Sequence, residues 1–490
     1  MPTSEQRNRR VIAGSPVAPQ RGGGYDRRTV NETFDLLIVG GGINGVGIAR
    51  DAAGRGLKVL LCEQGDLASA TSSASSKMIH GGLRYLEHGA FRLVRESLAE
   101  REVLLRTAPH LVRPMRFVLP HGPGQRPRWM LRAGLFLYDR IGGRRSLPGS
   151  AAVDLRAGEF AAPLRDEVRD GFVYSDCVVD DARLVVANAR DAAAHGATIL
   201  TRTAFAEARR EGGVWRAALA ETGGTRREVA ARILVNAAGP WTMDVRNRAG
   251  LGGRARLRLV KGSHIVVGRL YDGDHAYLLQ NDDGRAVFAI PFEHDYTLIG
   301  TTEQPADSPP AAPPTAAEIA YLCRAVGRWF RRAPEPAEIV WRFSGLRPLY
   351  DDGAKSAAAA SRDYVFELDT AGAPALSIFG GKLTTYRRLA EAALARLARH
   401  LPRLGPLWTA DAMLPRDDIF DGPAKFAPGL GPEQADFLVR EAWARNADDI
   451  LWRRSKLGLI ASPVQRAALE RYLASASGRA AAPVGQTRHR

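Results

Sequence analysis

The stretch that decides the fold class is Phe34-Asp35-Leu36-Leu37-Ile38-Val39-Gly40-Gly41-Gly42-Ile43-Asn44-Gly45. Its first half is a short apolar run, which is typical of a buried parallel strand. Its second half places glycines in the order G-x-G-x-x-G at the point where a helix begins. A second apolar run, at 58–62, follows the helical residues and ends at an acidic residue. The order strand, helix, strand predicts an α/β fold with a parallel sheet.

Gly40, Gly42 and Gly45 have the spacing of a dinucleotide-binding turn. The first glycine permits the tight turn, the second lets the backbone approach a pyrophosphate, and the third lets the helix pack closely on the strand. The helix N-terminus adds unpaired N–H groups and a positive dipole end for the phosphates. Glu63 lies 18 residues after Gly45, where a carboxylate accepts the ribose hydroxyls and repels a 2′-phosphate. A Rossmann-like domain is therefore expected, and NADP is disfavoured.

Two later segments favour a flavin over a nicotinamide. Residues 233–241 form an apolar strand that ends in a turn of small residues, and residues 377–386 repeat the pattern of strand, glycine pair and helix start. Such a corner binds anions, and it suits the N1–C2=O edge of a flavin, where negative charge collects on reduction. The cofactor predicted from these segments is FAD. The turn residues assigned to it are Gly239, Gly381, Lys382, Leu383 and Thr384.

The charge of the chain is strongly positive. Its 490 residues carry a net charge of +16, and only 7 of the 69 basic residues are lysine. Three explanations stay open: a nucleic-acid partner, an anionic membrane, or an arginine-rich surface with no partner. Nucleic acid is the least favoured, because no DNA- or RNA-binding motif appears in the sequence. The 3 cysteines form no C-x-x-C pair, so neither a disulfide framework nor a metal site is predicted.

Length and composition predict several domains. The expected parts are a disordered tail at each end, an FAD-binding domain in three segments, an interleaved α+β substrate domain in two segments, and a C-terminal helical domain. Their predicted bounds are 1–30 and 478–490 for the tails, 31–110, 171–240 and 341–400 for the FAD-binding domain, 111–170 and 241–340 for the substrate domain, and 401–477 for the helical domain. No apolar run reaches the roughly 18 residues that a spanning helix needs, so any membrane contact is expected to be peripheral.

Longer motifs carry a resemblance to a known family. They occur in the family's order, between 34 and 459, at 70–86, 97–105, 108–111, 174–177, 179–184, 260–264, 344–349, 380–386 and 449–458. Together with the glycine turns, they resemble the FAD-dependent glycerol-3-phosphate dehydrogenases of the aerobic, membrane-associated type, within the group of flavoproteins similar to D-amino-acid oxidase. Two departures stand out. The N-terminal tail is longer than in the family, and the region between 415 and 448 is shorter, so the C-terminal helical domain is expected to be shortened.

The resemblance implies a fold of the glutathione-reductase and D-amino-acid-oxidase type. It also implies oxidation of sn-glycerol 3-phosphate to dihydroxyacetone phosphate by hydride transfer to non-covalently bound FAD, with the electrons passed to a membrane quinone. The implied location is the cytoplasmic side of a bacterial inner or plasma membrane, where the protein would bind an anionic surface peripherally. A homodimer is compatible with the resemblance.

The substrate implied by the family is a small dianion with a secondary alcohol, which requires cations in the site. Arg84, Arg347, Arg362 and Lys382 are the cationic candidates, each within a motif similar to one of the family. Arginine matches phosphate oxygens bidentately, so the arginines are the preferred phosphate ligands. Motif context is needed for this assignment, because most arginines of so arginine-rich a chain are expected on the solvated surface.

His264 is the first choice for the base that removes the proton of the C2 hydroxyl. A histidine can take a proton near neutral pH, and the competing interpretation is a structural histidine of the core. His80 and Tyr85 are alternative bases, and His80 could instead position the flavin. The hydroxyls of Ser75 and Ser76 are expected to reach the flavin.

Three alternative functions stay open. An oxidase of the same fold would use the same substrate but pass electrons to oxygen. A flavoprotein that oxidises another small anionic alcohol or amine is disfavoured, because one carboxylate needs fewer cations than this set provides. A catalytically silent FAD protein would act only as a binding module, and it would be expected to have lost the motif residues that are present here.

The segment from 113 to 145 is the candidate membrane contact. It contains eight arginines and a single acid, Asp139, around an apolar and aromatic stretch at 129–138. Two interpretations are open: the stretch is buried in the core, or its aromatic side chains lie at the headgroup boundary while the arginines meet anionic lipid.

Overall fold

The structure, a computed structural model, describes residues 33–122, 124–143, 146–253, 255–351, 363–416 and 421–479. The predicted N-terminal tail and Arg362 lie outside the described residues. So does most of the predicted C-terminal tail, although the last helix extends two residues into it.

The described residues form strands in the following order: β1 Thr33–Val39, β2 Val59–Cys62, β3 Met78–Ile79, β4 Val112–His121, β5 Ala151–Asp154, β6 Asp170–Val179, β7 Thr198–Leu200, β8 Thr203–Glu211, β9 Val214–Glu221, β10 Arg226–Asn236, β11 Leu257–Gly268, β12 Ala276–Gln280, β13 Ala286–Phe292, β14 Tyr296–Gly300, β15 Gln304–Ala306, β16 Ile339–Tyr350, β17 Val365–Asp369 and β18 Ala375–Phe379. The α-helices are α1 Ile43–Gly54, α2 Phe91–Thr107, α3 Arg128–Ile141, α4 Asp181–Ala194, α5 Thr242–Arg248, α6 Ala316–Gly327, α7 Tyr386–Leu397, α8 Pro432–Glu441 and α9 Pro463–Arg479. A π-helical turn covers Asp449–Arg454.

The first sheet contains the predicted βαβ opening. Its order is β17-β18-β10-β1-β2-β7, and β1 pairs in parallel with both β2 and β10. The antiparallel pair β8 and β9 extends from β10. Helices α1, α4 and α7 cover one face, while β8, β9 and α5 cover the other. Because both faces are covered, the buried ends of β1 and β10, at 36–39 and 233–235, are apolar, and the predicted α/β fold is confirmed.

The second sheet has the order β15-β11-β14-β13-β12-β4-β6-β3, with β16 paired to β11 along almost its whole length. Helix α6 packs on one face, and helices α2 and α3 pack on the other. Strand β6 belongs to this sheet, although the sequence analysis assigned 171–240 to the FAD-binding domain. The predicted domain bounds stay predictions.

The C-terminal region is tied to the first sheet by a buried charge cluster, defined here as Asp66, Arg202, Asp449, Arg453 and Arg454. The Nη2 atom of Arg454 donates to Asp66 at 2.7 Å, and Arg202 donates to Asp449 at 2.6 Å. Burial opposes ionisation of Asp66, but Arg454 and Arg453 hold the pKa of its carboxyl below its usual value. The cluster therefore anchors the π-helical turn beside the loop that follows β2.

Helix α3 divides the apolar stretch of the candidate membrane contact between two environments. Leu131, Leu135 and Tyr138 are buried against the second sheet. Trp129 is 68% exposed and Phe136 is 57% exposed. One face of the helix is therefore buried in the core, as the first interpretation expects, and the other face is exposed, while membrane contact stays a prediction. No helix among the described residues combines the length and the hydropathy that crossing a bilayer requires.

Candidate active site

A dinucleotide cavity lies at the carboxyl ends of the parallel strands in the first sheet. The turns after β1, β10 and β18 line it, together with the loop that follows β2. The predicted residues in its lining are Gly40, Gly42, Glu63, Ser75, Gly239, Gly381 and Leu383. Gly45 is buried in the first turn of α1, where a Cβ atom would lie 1.9 Å from the carbonyl oxygen of Gly40. The third glycine of the motif thus serves close packing, as predicted.

Glu63 has both carboxylate oxygens engaged by the backbone. Its Oε2 accepts from the N–H of Gly41 at 2.7 Å, and its Oε1 accepts from the N–H of Gly65 at 2.8 Å. Burial raises the pKa of this carboxyl, while the two backbone donors oppose the rise. A carboxylate has further lone pairs, so Glu63 can still accept from a hydroxyl in the cavity.

Asn44 connects the turn after β1 with the turn after β18. Its Nδ2 donates to the carbonyl of Gly380 at 3.2 Å. Its Oδ1 is buried and has no hydrogen-bond partner within the described part of the chain. A buried polar atom of this kind normally has a partner, and Asn44 lines the dinucleotide cavity. The geometry therefore leaves a place for a polar group of a ligand.

A second cavity adjoins the dinucleotide cavity, and we name it the catalytic cavity after the predicted catalytic residues in its lining. It lies between β11 and β16 of the second sheet and the turn after β18 of the first sheet. Its lining contains ten of the predicted residues: Ser75, Ser76, His80, Tyr85, His264, Arg347, Gly381, Lys382, Leu383 and Thr384. Strands β11 and β16 bring the motifs at 260–264 and 344–349 together, because they pair antiparallel with His264 opposite Phe343 and Val260 opposite Arg347.

His264 is buried in the wall of the catalytic cavity. Its Nε2 lies 2.9 Å from the hydroxyl of Ser76, and its ring stacks on Phe343 at 4.9 Å between centroids. Burial, followed by the positive charges of Arg347 and Lys77, holds the pKa of His264 well below its usual value. The imidazole is therefore neutral at neutral pH, which is the form that can accept a proton.

Two glycines make room for the candidate catalytic side chains. A Cβ atom on Gly300, in β14, would lie 2.0 Å from the His264 ring. A Cβ atom on Gly262, in β11, would lie 2.7 Å from Nη2 of Arg347 and equally close to Oγ1 of Thr301. Real Cβ atoms do not approach so closely, so both glycines are required for the observed positions of these groups.

The cations lie around the catalytic cavity and a side cavity next to it. Arg347 donates from Nη2 to Thr301 at 3.2 Å, and the ammonium of Lys382 lies 3.8 Å from the centre of the Tyr85 ring. The side cavity, of about 210 Å³, shares Arg347 and Tyr85 with the catalytic cavity and is also lined by Arg84. Arg84 donates to the carbonyl of Gly284 at 2.8 Å, so it lies at the rim.

His80 and Thr384 join motifs that are 304 positions apart. The N–H of His80 donates to the hydroxyl of Thr384 at 3.2 Å. Burial, together with the nearby Lys382, lowers the pKa of His80 to about 4. Like His264, it is neutral at neutral pH.

Comparison with protein families decides the class of this site. A family model described as FAD dependent oxidoreductase matches residues 35–387. The chain belongs to this family. The match extends over the glycine turns, His264 and Arg347, and it confirms both the predicted FAD and the oxidoreductase class.

Relatives within the family cover almost the whole chain. A glycerol-3-phosphate dehydrogenase of Pseudomonas aeruginosa is 48% identical over an alignment of 496 positions, gaps included, that covers 91% of this chain and 96% of the relative. A D-erythritol 1-phosphate dehydrogenase of Brucella abortus is 47% identical over an alignment of 498 positions that covers 91% of this chain and 99% of the relative. The predicted resemblance to glycerol-3-phosphate dehydrogenases is confirmed, and one relative that is nearly as similar carries a different name.

A solved structure with the same fold is that of the glycerol-3-phosphate dehydrogenase from Bacillus halodurans complexed with FAD. It is similar with a TM-score of 0.66 over 94% of this chain and 97% of that chain, at 23% sequence identity. The described residues of our chain fit FAD on their own chemistry as well. Glycine turns, the Glu63 carboxylate and the unpartnered Asn44 oxygen line one cavity, where they would hold the two nucleotide parts and the pyrophosphate.

Several residues of the site were missed by the sequence analysis. Ser72 accepts from the N–H of Ile43 at 3.0 Å and lines the dinucleotide cavity. Thr301, Arg285 and Glu303 line the side cavity. None of these lies in a motif with a recognisable spacing, although Ser72 stands within the serine-rich loop at 70–86 and could have been singled out there.

Proposed function

We propose that the chain oxidises sn-glycerol 3-phosphate to dihydroxyacetone phosphate, with FAD as the cofactor. The observation that carries the proposal is a neutral buried histidine, an arginine and a lysine in one cavity next to the dinucleotide cavity. A phosphate dianion with a secondary alcohol needs cations for its phosphate and a base for its hydroxyl. The name of the Pseudomonas aeruginosa relative supports the same substrate.

The arginines hold the phosphate in this proposal. Arg347 lines both the catalytic cavity and the side cavity, and Arg84 lines the side cavity from its rim. Their guanidinium groups can donate paired hydrogen bonds to phosphate oxygens. Lys382 follows the turn after β18, where its ammonium supports negative charge on the bound cofactor. Arg362 remains part of the prediction from its motif.

His264 is the general base. Its Nε2, which contacts the Ser76 hydroxyl, accepts the proton of the C2 hydroxyl, and Ser76 with Phe343 holds the ring in place. FAD, when bound, accepts the hydride from C2. Tyr85 contacts the Lys382 ammonium through its ring, and it positions that cation rather than taking a proton. His80 lies further along the cavity wall, where its backbone N–H donates to the Thr384 hydroxyl and positions the turn after β18.

Anaerobic titration tests the activity. Adding glycerol 3-phosphate should bleach the flavin absorbance of the purified yellow protein, while lactate, glycine and unphosphorylated glycerol should leave it unchanged. FAD is expected to be released on denaturation, since binding is proposed to be non-covalent. An unchanged spectrum with glycerol 3-phosphate would contradict the proposal.

A second candidate substrate is D-erythritol 1-phosphate, the compound named for the Brucella abortus relative. The favouring observation is the side cavity, which adds about 210 Å³ next to the catalytic cavity and carries the polar side chains Arg285 and Glu303. A four-carbon polyol chain has room to extend there. Comparing kcat/KM for the two phosphates decides between them.

The electrons are proposed to pass to a membrane quinone rather than to oxygen. The protein would bind peripherally to the cytoplasmic side of a bacterial inner membrane, and it could do so as a homodimer. Helix α3 supports this location, because Trp129 and Phe136 are exposed and the Arg140 guanidinium lies 3.6 Å from the centre of the Phe136 ring. Exposed aromatic rings beside arginines are typical of contact with anionic headgroups.

Vesicle co-sedimentation tests the membrane contact. Binding should require anionic lipid and fall at high salt, because exposed charges are screened within about 10 Å at 0.1 M salt. The double variant Trp129→Ser with Phe136→Ser should lose binding. A matched control, Leu407→Ser with Met413→Ser, removes exposed apolar side chains elsewhere on the surface and should bind normally. Equal loss in both variants would contradict a specific role for α3. Reoxidation rates with oxygen and with a short-chain quinone distinguish the acceptors.

A further inference from the structure

A buried carboxylate lies behind the strand that carries the candidate base. It belongs to Glu318, in the first turn of α6, whose side chain is 5% exposed. Its two oxygens accept from five groups at 2.8–3.0 Å: the ammonium of Lys261, the hydroxyls of Ser263 and Thr302, and the N–H and hydroxyl of Thr315. A capping box at the start of α6 accounts for the contacts with Thr315. The other three donors need a separate explanation.

Alternate residues of β11 face opposite sides of the second sheet, because successive side chains of a strand point to opposite faces. Ser263 contacts Glu318, and Ile265 packs in the same core as α6. Gly262 and His264 instead line the catalytic cavity. Glu318 therefore lies on the opposite side of β11 from the cavity, and any effect on the reaction must pass through the strand.

A first connection leads from this carboxylate to the candidate base. The hydroxyl of Ser263 donates to Glu318 at 2.8 Å, and Ser263 directly precedes His264 in β11. The backbone of Ser263 is held as well, since its N–H donates to the hydroxyl of Thr302 at 3.0 Å and its carbonyl accepts from the Thr302 N–H at 3.3 Å. A displacement of Ser263 would therefore move the His264 ring within the cavity.

A second connection leads to the candidate phosphate ligand. The hydroxyl of Thr302 donates to Glu318 at 2.9 Å. The preceding residue, Thr301, accepts from Nη2 of Arg347 at 3.2 Å, and its hydroxyl donates to the carbonyl of Thr302 at 3.2 Å. Loss of the contact between Thr302 and Glu318 would therefore release the segment that holds the Arg347 guanidinium.

The carboxylate is ionised at neutral pH. Burial opposes ionisation, but hydrogen bonds from Lys261, Thr315, Ser263 and Thr302 lower the pKa of Glu318 to about 2. Hydrogen bonds to an ionised acceptor are shorter and stronger than those between neutral groups. A buried polar network of this kind makes its surroundings rigid, which suits a group that has to hold two neighbouring segments in place.

From these contacts we propose that Glu318 is a positioning residue that holds His264 and Arg347 in a fixed relation to each other from the far side of β11. The inference rests on the proposed function, in which His264 is the base and Arg347 binds the phosphate. Glu318 lines none of the dinucleotide, catalytic and side cavities. A common anchor for both groups keeps the C2 hydroxyl within reach of the base once the phosphate is bound.

Kinetics of a variant test the proposal. Glu318→Gln keeps the size of the side chain and removes its charge. Anaerobic flavin reduction should slow about 10- to 100-fold and the KM for glycerol 3-phosphate should rise, because small displacements of catalytic groups have large effects on rate. Thr315→Ala is the matched control, since it breaks the capping box and leaves the contacts with Ser263 and Thr302 in place. A normal rate and KM in the Glu318 variant, or equal losses in the control, would overturn the proposal.

Double variants separate positioning from a general loss of stability. Adding Glu318→Gln to His264→Ala should slow reduction no further but should still raise KM. Adding it to Arg347→Ala should raise KM no further but should still slow reduction. Residues that act through one another have non-additive effects, whereas independent effects add. Independent effects in both double variants would show that Glu318 does not act through His264 or Arg347.

A measurement without turnover covers the case in which the Glu318 variant does not fold. Ser263→Ala removes one contact of the carboxylate and no charge. Protein labelled with carbon-13 at the histidine Cε1 atoms reports on the ring, and loss of a signal in His264→Ala identifies that of His264. This signal should shift in Ser263→Ala and stay in place in Thr315→Ala. An unmoved signal in the first variant, or an equal shift in the second, would contradict the connection.

Failure of the proposed function gives a different result. If glycerol 3-phosphate does not bleach the flavin of the unsubstituted protein, the proposed substrate is wrong. The histidine signal is measured without substrate, so it still decides whether Glu318 and Ser263 position the His264 ring.

Discussion

The dinucleotide cavity and the catalytic cavity are neighbours and share part of the loops at 71–75 and 380–383, but different kinds of group dominate their linings. Backbone groups dominate the first: glycine turns, the N-terminus of α1, and a Glu63 carboxylate that two backbone N–H groups hold. Side chains dominate the second, and strands far apart in the sequence position them. In the first cavity local geometry determines the chemistry, whereas in the second the register of β11 against β16 determines it.

This difference has a consequence for substitutions. A change in the dinucleotide cavity should mainly alter cofactor retention. A change in the catalytic cavity should alter the reaction while the cofactor stays bound. The predictions below use this distinction.

The largest effect is expected for His264→Ala. Loss of the base should slow anaerobic flavin reduction about 10²- to 10⁴-fold, while the FAD content stays unchanged. Stopped-flow absorbance measures the reduction rate. His275→Ala is a control for loss of a buried histidine, because His275 contacts Tyr277 in the core between the second sheet and α6. Near-normal reduction in the His264 variant would return this residue to a structural role and direct attention to His80 and Tyr85.

A smaller effect is expected for Arg347→Ala. A hydrogen bond to a charged group contributes about 1.5–3 kcal/mol, so kcat/KM for glycerol 3-phosphate should fall about 10- to 150-fold. Gly262→Ala should reproduce part of this loss, because its Cβ atom would displace the guanidinium. Steady-state kinetics with both variants measure the effect. An unchanged KM in both would show that the phosphate binds elsewhere, with Arg84 and Arg285 as the next candidates.

Glu63→Ala should weaken FAD binding, because Glu63 lines the dinucleotide cavity. Loss of the carboxylate leaves the N–H groups of Gly41 and Gly65 without their acceptor and removes the proposed ribose contact. The Kd for FAD should rise about tenfold, which corresponds to about 1.4 kcal/mol. Fluorescence titration of the apoprotein measures it, with Glu167→Ala as the control, because Glu167 is exposed and lines neither cavity. Slower hydride transfer in the Glu63 variant at saturating FAD would contradict the expectation that this cavity affects cofactor retention and not the reaction rate.

The smallest effect concerns pH and stability. The pKa of His80 is lowered to about 4, so the folded protein binds fewer protons than the unfolded chain between about pH 6.5 and pH 4. Stability should therefore fall as the pH falls below about 6.5. Thermal unfolding at pH 7.5 and 5.0 should show the loss, and His80→Gln should reduce it, whereas the exposed His195→Gln should not. A pH dependence that is the same in both variants would contradict this account.

Sequence reasoning was sufficient where spacing along the chain determines the geometry. Gly40, Gly42, Gly45 and Glu63 lie within one βαβ unit, so their roles follow from local rules. The contact of Ser76 with His264 spans 188 positions, and no local pattern indicates it. The same holds for the stack of Trp341 on Trp452, because side-chain contacts between distant elements depend on how the sheets and the π-helical turn pack.

Other predicted residues lie in different surroundings from those that the sequence analysis expected. Arg84 was grouped with Arg347 and Lys382 as one set of cations, but it lies at the rim of the side cavity, bonded to Gly284. Helix α3 was expected either in the core or at the headgroup boundary of a membrane; one of its faces is buried in the core and the other is exposed. Amphipathic division of this kind follows from helical periodicity, yet which neighbours cover each face depends on tertiary packing.

The buried charge cluster has a consequence for behaviour on heating. It joins Asp66, in the loop that follows β2, to the π-helical turn at Asp449–Arg454, so it holds two segments that are far apart in the sequence together. The penalty for burying charges falls as temperature rises, while the gain from apolar burial levels off. The cluster should therefore hold the two segments together at temperatures at which apolar contacts contribute no further stabilisation. The distance between the loop and the π-helical turn would then change less with temperature than distances elsewhere in the molecule.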